Sequence, residues 1–289
     1  LLRTYAVIVV IACLFAYGLS LHGPLFFDDI PNITENRLLQ IDGRTFEEWR
    51  VAALSSNAGL FQRPVAMLSF AINHAVSGDF QPIPLKATNL AIHLLAGLLV
   101  YLLCEALLRA PALASLRLHA PRLIALTAAA IWLLHPLHVS TVLYVIQRMA
   151  QLSTVLTLLG LLVFMRYRLR WASAGASTGE VLAAALWLAL LTALAVWSKE
   201  NGVLLPWLLL VIEVTLFSGI WQGRHNVRLQ RASWLLLLLP VLAVALVLLV
   251  SPATFADKFS GREFSLQERL YTQLRVLWHY LGWILLPNV

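Results

Sequence analysis

The chain has 289 residues, of which 60% are hydrophobic and only 12% are charged, and its formal net charge is +7. Soluble globular domains carry about 25% charged residues, so this composition excludes a water-soluble globular protein and indicates an integral membrane protein. The positive charge does not indicate nucleic-acid binding, because the arginines lie beside apolar runs and not in a stripe or a recognisable binding motif.

Apolar runs of membrane-spanning length recur along the whole sequence. A hydrocarbon layer ~30 Å thick needs roughly 20 apolar residues of helix. No alternating barrel pattern is present, and lipid tolerates no unpaired backbone. We therefore predict an all-α, polytopic bundle of about seven or eight transmembrane helices, with Pro240 as a kink in the seventh. The predicted spans are 4–21, 88–108, 120–134, 149–165, 180–197, 203–219, 232–250 and 273–287.

The basic residues predict the orientation of the bundle. Short loops rich in arginine face the cytoplasm. The arginines that we place there are Arg3, Arg109, Arg117, Arg122, Arg166, Arg168, Arg170, Arg224, Arg228 and Arg231. The long first loop, residues 22–87, has more acids than bases and is therefore predicted to lie on the non-cytoplasmic side. Within it Thr45, followed by Glu48, predicts a capped helix start, and residues 60–76 predict an interfacial helix.

Two adjacent carboxylates, Asp28 and Asp29, follow the first span directly. Carboxylates beside a membrane helix are costly unless they bind a ligand or do chemistry, so we predict that at least one of them is catalytic. Two alternatives stay open. The pair could cap a short helix that begins near Pro31, or it could hold Mg²⁺ or Mn²⁺, although nothing else in the sequence forms an octahedral oxygen site.

Further polar groups are expected at the same end of the bundle. A carboxylate can take a proton from an acceptor hydroxyl, and nearby cations can hold a phosphate leaving group. We predict Asp28 or Asp29 as the base. The predicted phosphate-binding residues are Arg148, Lys199, Arg275, His135 and His138, and the predicted supporting residues are Arg63, Asn89, His93 and Glu200.

Each of these groups also has a structural interpretation. His135 and His138 could end a helix, bind phosphate or ligate a metal, although a lone His-x-x-His pair is a weak zinc signal. Lys199 and Glu200 could form a local ion pair. Arg148 and Arg275 could extend towards lipid headgroups, and His93 could be a hydrogen-bonded packing residue.

The ordered set of motifs resembles the membrane part of the transmembrane-and-TPR O-mannosyltransferases, which are glycosyltransferases of the GT-C class. The resemblance runs from about residue 20 to 287. The motifs that carry it are Phe27-Asp28-Asp29, Arg63-Pro64 with Asn73, Asn89-Leu90-Ala91-Ile92-His93, His135-Pro136-Leu137-His138, Gln147-Arg148 and Ser198-Lys199-Glu200-Asn201-Gly202.

The resemblance implies a single GT-C-like membrane domain over residues 1–289, part of a longer chain in which TPR repeats follow. It implies inverting transfer of a sugar, a mannose-like hexose, from a polyprenyl- or dolichyl-phosphate donor to a protein Ser/Thr or glycan hydroxyl. Other than the possible divalent cation, no cofactor is expected. The site would face the periplasm in a prokaryotic inner membrane, or the lumen of the endoplasmic reticulum.

Two functions without sugar transfer remain open at this stage. A transporter or flippase for a lipid-linked sugar would place charges at the middle of the bilayer and interrupt paired helices. A membrane anchor for a repeat domain would not require acidic and basic groups to converge.

Overall fold

The structure is a computed structural model that describes residues 2–57, 61–116, 118–221, 224–225 and 264–287, together with five single helical positions between 231 and 246. Ten helices are assigned in these ranges. They are α1 Leu2–Gly18, α2 Phe46–Ala53, α3 Pro64–Ser77, α4 Pro82–Leu107, α5 Pro121–Leu133, α6 His138–Leu143, α7 Arg148–Ala174, α8 Thr178–Ser198, α9 Leu205–Ile212 and α10 Leu266–Leu285.

Short helical turns connect these helices. The 3₁₀ turns are Arg37–Leu39, Pro111–Leu116, Val145–Gln147 and Glu200–Leu204, and the π turns are Ile30–Thr34 and Glu213–Phe217. The strands that the structure describes are β1 Ile220–Trp221 and β2 Arg224–His225, which pair in antiparallel fashion. The described part of the chain is therefore all-α, as predicted, apart from this hairpin of two strands with two residues each.

The described residues contain part of the predicted set of spans. Within the described ranges, four helical segments are long and apolar enough to cross a membrane, namely Pro82–Leu107, Val145–Ala174, Thr178–Ser198 and Glu200–Phe217. Helices α1, α3 and α5 are apolar but shorter. Seven or eight spans are not confirmed. The predicted span 232–250, with its kink at Pro240, lies outside the described residues, and α10 occupies the region of the last predicted span.

Helix α7 corrects one predicted loop. Arg166, Arg168 and Arg170 were expected between two spans, but α7 continues to Ala174 and contains all three. Arg168 is buried and donates to Glu213 through Nε at 2.6 Å and Nη2 at 2.8 Å. Because the charge is paired inside the bundle, the helix does not need to end where the arginines begin.

The bundle is built around α4 and α7. Helix α4 packs against α5 and α7, and α7 packs against α8. Gly97 brings α4 close to α5, since a Cβ there would lie 2.4 Å from the Leu133 side chain. The helix order brings the start of α4, the end of α5 and the start of α7 to one end of the bundle. We call this the acid end, because Asp28 and Asp29 lie there.

The opposite end, which we call the arginine end, contains the first turn of α1, the last turn of α4 and the first turn of α5. There Glu105 binds both Arg109 and Arg122. Glu105 and Glu213 are therefore both paired with arginines and lie away from the acid motif.

The loop between α1 and α4 has a hydrophobic core of its own. Ile33, Leu39, Met67 and Phe70 are buried in it and pack against Met149 at the start of α7. The predicted cap at Thr45 is confirmed, since its Oγ1 accepts a hydrogen bond from the Glu48 amide. The predicted interfacial helix at 60–76 corresponds to α3, whose buried face packs on this core, so lipid is not its only neighbour. The loop is thus a folded layer that can position the acid motif.

Candidate functional site

Asp29 is fully buried and connects the acid motif to the start of α7. Its carboxylate accepts hydrogen bonds from the Ile146 amide at 2.7 Å and from the Val145 amide at 3.3 Å. These amides begin the Val145–Gln147 turn, where no intrahelical acceptor is available to them. Asp29 therefore supports this turn from a position 116 residues earlier in the chain.

Burial raises the pKa of Asp29, while the two amide bonds and the nearby Lys86 oppose this rise. Lys86 is itself buried and donates to the carbonyl oxygens of Gly23 at 2.7 Å and Pro24 at 3.2 Å. It thereby fixes the segment that leads into the acid motif. Asp29 and Lys86 together form the buried side of this segment.

Asp28 is exposed, in contrast to its neighbour. Its backbone amide donates to the Tyr144 hydroxyl at 3.0 Å, and the Tyr144 ring stacks on Phe26 at 5.1 Å between centroids. Burial raises the pKa of the Tyr144 hydroxyl, so this group stays protonated at neutral pH. The backbone of Asp28 is thus held in place while its side chain remains accessible.

Basic residues lie near Gln147, at the end of the Val145–Gln147 turn. The Lys199 Nζ lies 3.5 Å from the Gln147 Oε1, which is at the limit of a hydrogen bond. Arg63 binds Glu200 with two bonds, from Nε at 3.2 Å and from Nη2 at 2.9 Å. Glu200 therefore pairs with Arg63 from another element, and among the described side-chain contacts it forms no ion pair with its neighbour Lys199.

This cluster carries more positive than negative charge. Burial and the nearby Arg63 both lower the pKa of Lys199, and Glu200 opposes them. Two cations and one carboxylate leave an excess positive charge. An anion such as a phosphate would relieve the repulsion between Arg63 and Lys199.

Strained backbone occurs beside both the acid motif and the basic cluster. The non-glycine residues Phe27, Gln62 and Arg63 have φ values of 48°, 55° and 50°. Such conformations cost about 1–3 kcal/mol and persist where the surrounding structure enforces them, often at functional sites. Phe27 directly precedes Asp28, and Arg63 binds Glu200. The strain therefore coincides with the two groups on which a transfer reaction would depend.

Arg148 differs from its predicted role. It is fully buried, and its guanidinium donates to the side chains of Asn89 and Asn73 and to the carbonyl oxygens of Ser69 and Leu85. It also lies 4.5 Å over the Phe70 ring. With four N–H bonds directed at protein acceptors, Arg148 joins α3, α4 and α7 and is not placed to receive a phosphate.

Asn89 and His93, which were predicted to be supporting residues, are buried on α4. Asn89 donates to the carbonyl oxygens of Val142 and Val145 and accepts from Arg148. The His93 Nε2 bonds to the Leu133 carbonyl at 2.9 Å, and its ring stacks on Trp132. Both residues therefore hold α4 against the segments that follow it, and their supporting role in a reaction remains a prediction.

His135 and His138 also depart from the predicted phosphate contacts. The His135 Nδ1 accepts from the Leu137 amide, and its Nε2 lies 3.2 Å from the Ile284 carbonyl. Both ring nitrogens of His135 therefore contact the protein backbone and not an open site. Burial, followed by His93 and His135, lowers the pKa of His138 to about 4. A neutral His138 imidazole does not supply charge to a phosphate at pH 7.

Arg275 lies exposed on α10. The contact between His135 and Ile284 attaches the far end of this helix to the acid end of the bundle. Ile284 lies nine positions after Arg275 in the helix, which corresponds to about 14 Å along the axis. The predicted phosphate contact of Arg275 remains a prediction.

Three residues that sequence reasoning did not select take part in the site. Tyr144 and Lys86 hold the acid motif, and Trp132 packs on His93 and His138. Asn73, which the sequence indicated only as part of a motif, binds Arg148. The sequence could have indicated a role for Lys86, because a lysine in an apolar stretch needs polar partners if it is buried.

A divalent cation between Asp28 and Asp29 is a poor fit to this geometry. The Asp29 carboxylate is occupied by two amides, whereas Asp28 is exposed. Across the part of the chain that the structure describes, no group of three or more His, Cys, Asp and Glu residues is arranged to hold a metal.

Comparison with known proteins found two similar curated proteins. The chain is 28% identical over 229 residues to protein O-mannosyl-transferase TMTC4 of Homo sapiens, covering 76% of this chain and 29% of that protein. It is 28% identical over 200 residues to protein O-mannosyl-transferase TMTC4 of Mus musculus, covering 66% of this chain and 26% of that protein. These findings confirm the resemblance noted from the motifs.

The similarity has a limited extent. The chain spans less than a third of the length of the curated relatives that it matches. No family model matches the chain, and no solved structure matches it either.

Proposed function

We propose that this chain is the membrane domain of a GT-C type glycosyltransferase. It moves a mannose-like hexose from a polyprenyl- or dolichyl-phosphate donor to a hydroxyl acceptor, a protein Ser or Thr. The observation that carries the proposal is the placement of an exposed carboxylate, Asp28, and a cationic cluster, Lys199 with Arg63, around one turn, Val145–Gln147. The similarity to O-mannosyltransferases supports it.

Asp28 is the general base in this proposal, and Asp29 is a positioning residue. A general base must reach the acceptor proton, which the exposed Asp28 side chain can do. The buried Asp29 carboxylate already accepts two amides. The proposal thereby distinguishes between two residues that the sequence left equivalent.

Lys199 and Arg63 hold the donor phosphate. Cation–phosphate contacts are short and strong, and the Nζ of Lys199 has only the 3.5 Å contact to Gln147 among the side-chain bonds of the described residues. Glu200 orients Arg63 through the two-bond ion pair. Arg148, His135 and His138 hold the surrounding helices and are not phosphate ligands, and Arg275 is kept as an additional phosphate contact.

The chemistry is one displacement with inversion. The acceptor oxygen bonds to the anomeric carbon as the bond between that carbon and the phosphate oxygen breaks. The acceptor proton passes to Asp28, and the bonding electrons leave with the lipid phosphate. Because phosphate is a stable anion beside two cations, it needs no protonation to leave. The reaction takes place at the non-cytoplasmic face.

An assay in sealed vesicles tests the proposal against its alternatives. The full-length protein is reconstituted with a radiolabelled polyprenyl-phosphate hexose and a Ser/Thr-containing peptide. Covalent label on the peptide is the expected result. Label moved across the bilayer without transfer would indicate a flippase, and neither event would indicate a membrane anchor. Either of these two outcomes would overturn the proposal.

A further inference from the structure

Two adjoining apolar cavities lie at the arginine end of the bundle. The first, about 300 Å³, lies between α1, α4 and α5 and is lined by residues that include Ala6, Val10, Leu98 and Ala130. The second, about 740 Å³, lies between the first two turns of α1 and the start of α5. Leu2 lines both cavities. Together they form a groove that runs from the end of the bundle towards its middle, and we call it the α1 groove.

The opening of the α1 groove is basic. Arg3 lines the first cavity, and His119 and Arg122 line the second. Arg122 uses its Nε to bind Glu105, which Arg109 also binds. Residues 2–18 and 105–134 contain four arginines and a single acid, Glu105. One carboxylate is thus shared by two arginines, and positive charge remains at the opening.

An apolar groove with a cationic opening matches the chemistry of an anionic lipid. The hydrocarbon chain would pack against apolar side chains along α1. Because the chain comes from an apolar micelle or bilayer and not from water, this packing contributes through van der Waals contact, and the charged opening supplies the preference for an anionic lipid. The phosphate would meet Arg3 and Arg122. Basic clusters at the cytoplasmic surface attract anionic lipids by about 1 kcal/mol per arginine.

We propose that the α1 groove binds one anionic glycerophospholipid, with its phosphate at Arg3 and Arg122 and an acyl chain between α1, α4 and α5. The site is separate from the proposed sugar-transfer site. It lies at the arginine end, whereas Asp28, Lys199 and Arg63 lie at the acid end. The proposal therefore does not depend on the catalytic assignment.

Lipid titration followed by native mass spectrometry tests this proposal. The full-length protein, delipidated in detergent, is titrated with dioleoyl phosphatidylglycerol and, separately, with dioleoyl phosphatidylcholine. The first phosphatidylglycerol molecule should bind more tightly than the first phosphatidylcholine molecule. Arg3→Gln and Arg122→Gln should each weaken phosphatidylglycerol binding about fivefold and reduce the preference.

Filling the groove tests the acyl-chain contact. Ala6→Phe places a ring in the first cavity and should weaken the binding of both lipids. The matched controls are Ala16→Phe, at an exposed α1 position outside both cavities, and Arg166→Gln, at an exposed α7 position towards the arginine end. Both should bind as the parent does. Three results would each overturn the proposal. They are equal affinity for the two lipids, phosphatidylglycerol binding that is unchanged in both Arg3→Gln and Arg122→Gln, and losses of binding in the control variants as large as those in the groove variants.

Discussion

Asp29 and Ile146, which are 117 positions apart, are joined by a 2.7 Å hydrogen bond from the Ile146 amide to the Asp29 carboxylate. This bond attaches the first outer loop to the turn that starts α7. It also fixes the position of Asp28, because the two acids are adjacent. The proposed mechanism therefore needs both acids, each in a different role.

The first prediction separates these two roles by stability. Asp29→Asn replaces one carboxylate oxygen with an NH₂ group, which is a donor. One of the two buried backbone amides then loses its acceptor, at a cost of about 1–3 kcal/mol. Asp28→Asn changes an exposed side chain and should alter the free energy of unfolding by less than about 0.5 kcal/mol. Thermal unfolding of the two variants in the same detergent measures the difference. Equal destabilisation would contradict the assignment.

The second prediction concerns the donor phosphate. Lys199→Met should weaken binding of a polyprenyl phosphate by about tenfold or more, since hydrogen bonds to charged groups contribute about 1.5–3 kcal/mol. Lys199→Arg should retain part of the affinity. Arg37→Met also removes one positive charge, from an exposed position in the first outer loop, and is the charge-matched control. If Lys199→Met and Arg37→Met bind equally well, Lys199 does not hold the phosphate.

The third prediction concerns the ion pair between Arg63 and Glu200, whose side chains are 19% and 35% exposed. A double-mutant cycle with Arg63→Met and Glu200→Gln should give a coupling of about 1 kcal/mol, because contacting residues couple. The matched cycle uses Arg50 and Glu47, an exposed pair in α2. Its coupling should be at most about 0.5 kcal/mol. A coupling energy for Arg63 and Glu200 that is no larger than that for Arg50 and Glu47 would contradict a fixed ion pair.

The fourth prediction is a pH dependence that originates at His138. Its pKa is about 4 in the folded protein and about 6.5 when unfolded, so the unfolded state binds more protons between these values. Stability should therefore fall as the pH drops from 6.5 towards 4, by roughly 2 kcal/mol from this residue. Thermal unfolding at pH 7 and pH 4.5 measures it.

The control for this pH dependence is the exposed His22. His138→Gln should reduce the loss of stability at low pH, whereas His22→Gln should leave it unchanged. An unaltered pH profile in His138→Gln would show that His138 is not held neutral by its contacts with Trp132 and His93.

The sequence predicted helices better than their ends. Length and apolarity identify a span, and α4, α7 and α8 lie where they were expected. Hydropathy measures polarity and not backbone conformation, so the arginines near the end of α7 indicated a loop. The partner of Arg168 is Glu213, 45 positions away, and no local pattern reveals such a pair.

The sequence also identified the polar residues of the site but not their roles. Asp28, Arg63 and Lys199 remain candidates because they are exposed or incompletely paired. Arg148 was selected for the same chemistry, yet its N–H groups already donate to Asn73 and Asn89 from two other helices. Whether a cation is available to a ligand depends on tertiary contacts, which a single sequence does not display.

The central claim is that Asp28 removes the acceptor proton. The most direct measurement is transfer of labelled hexose to a Ser/Thr peptide by Asp28→Asn protein in vesicles, with donor binding measured in parallel. We predict a loss of rate of about 10²–10⁴-fold while polyprenyl-phosphate binding and thermal stability stay close to those of the parent. Transfer by correctly folded Asp28→Asn protein at the parental rate would contradict the account.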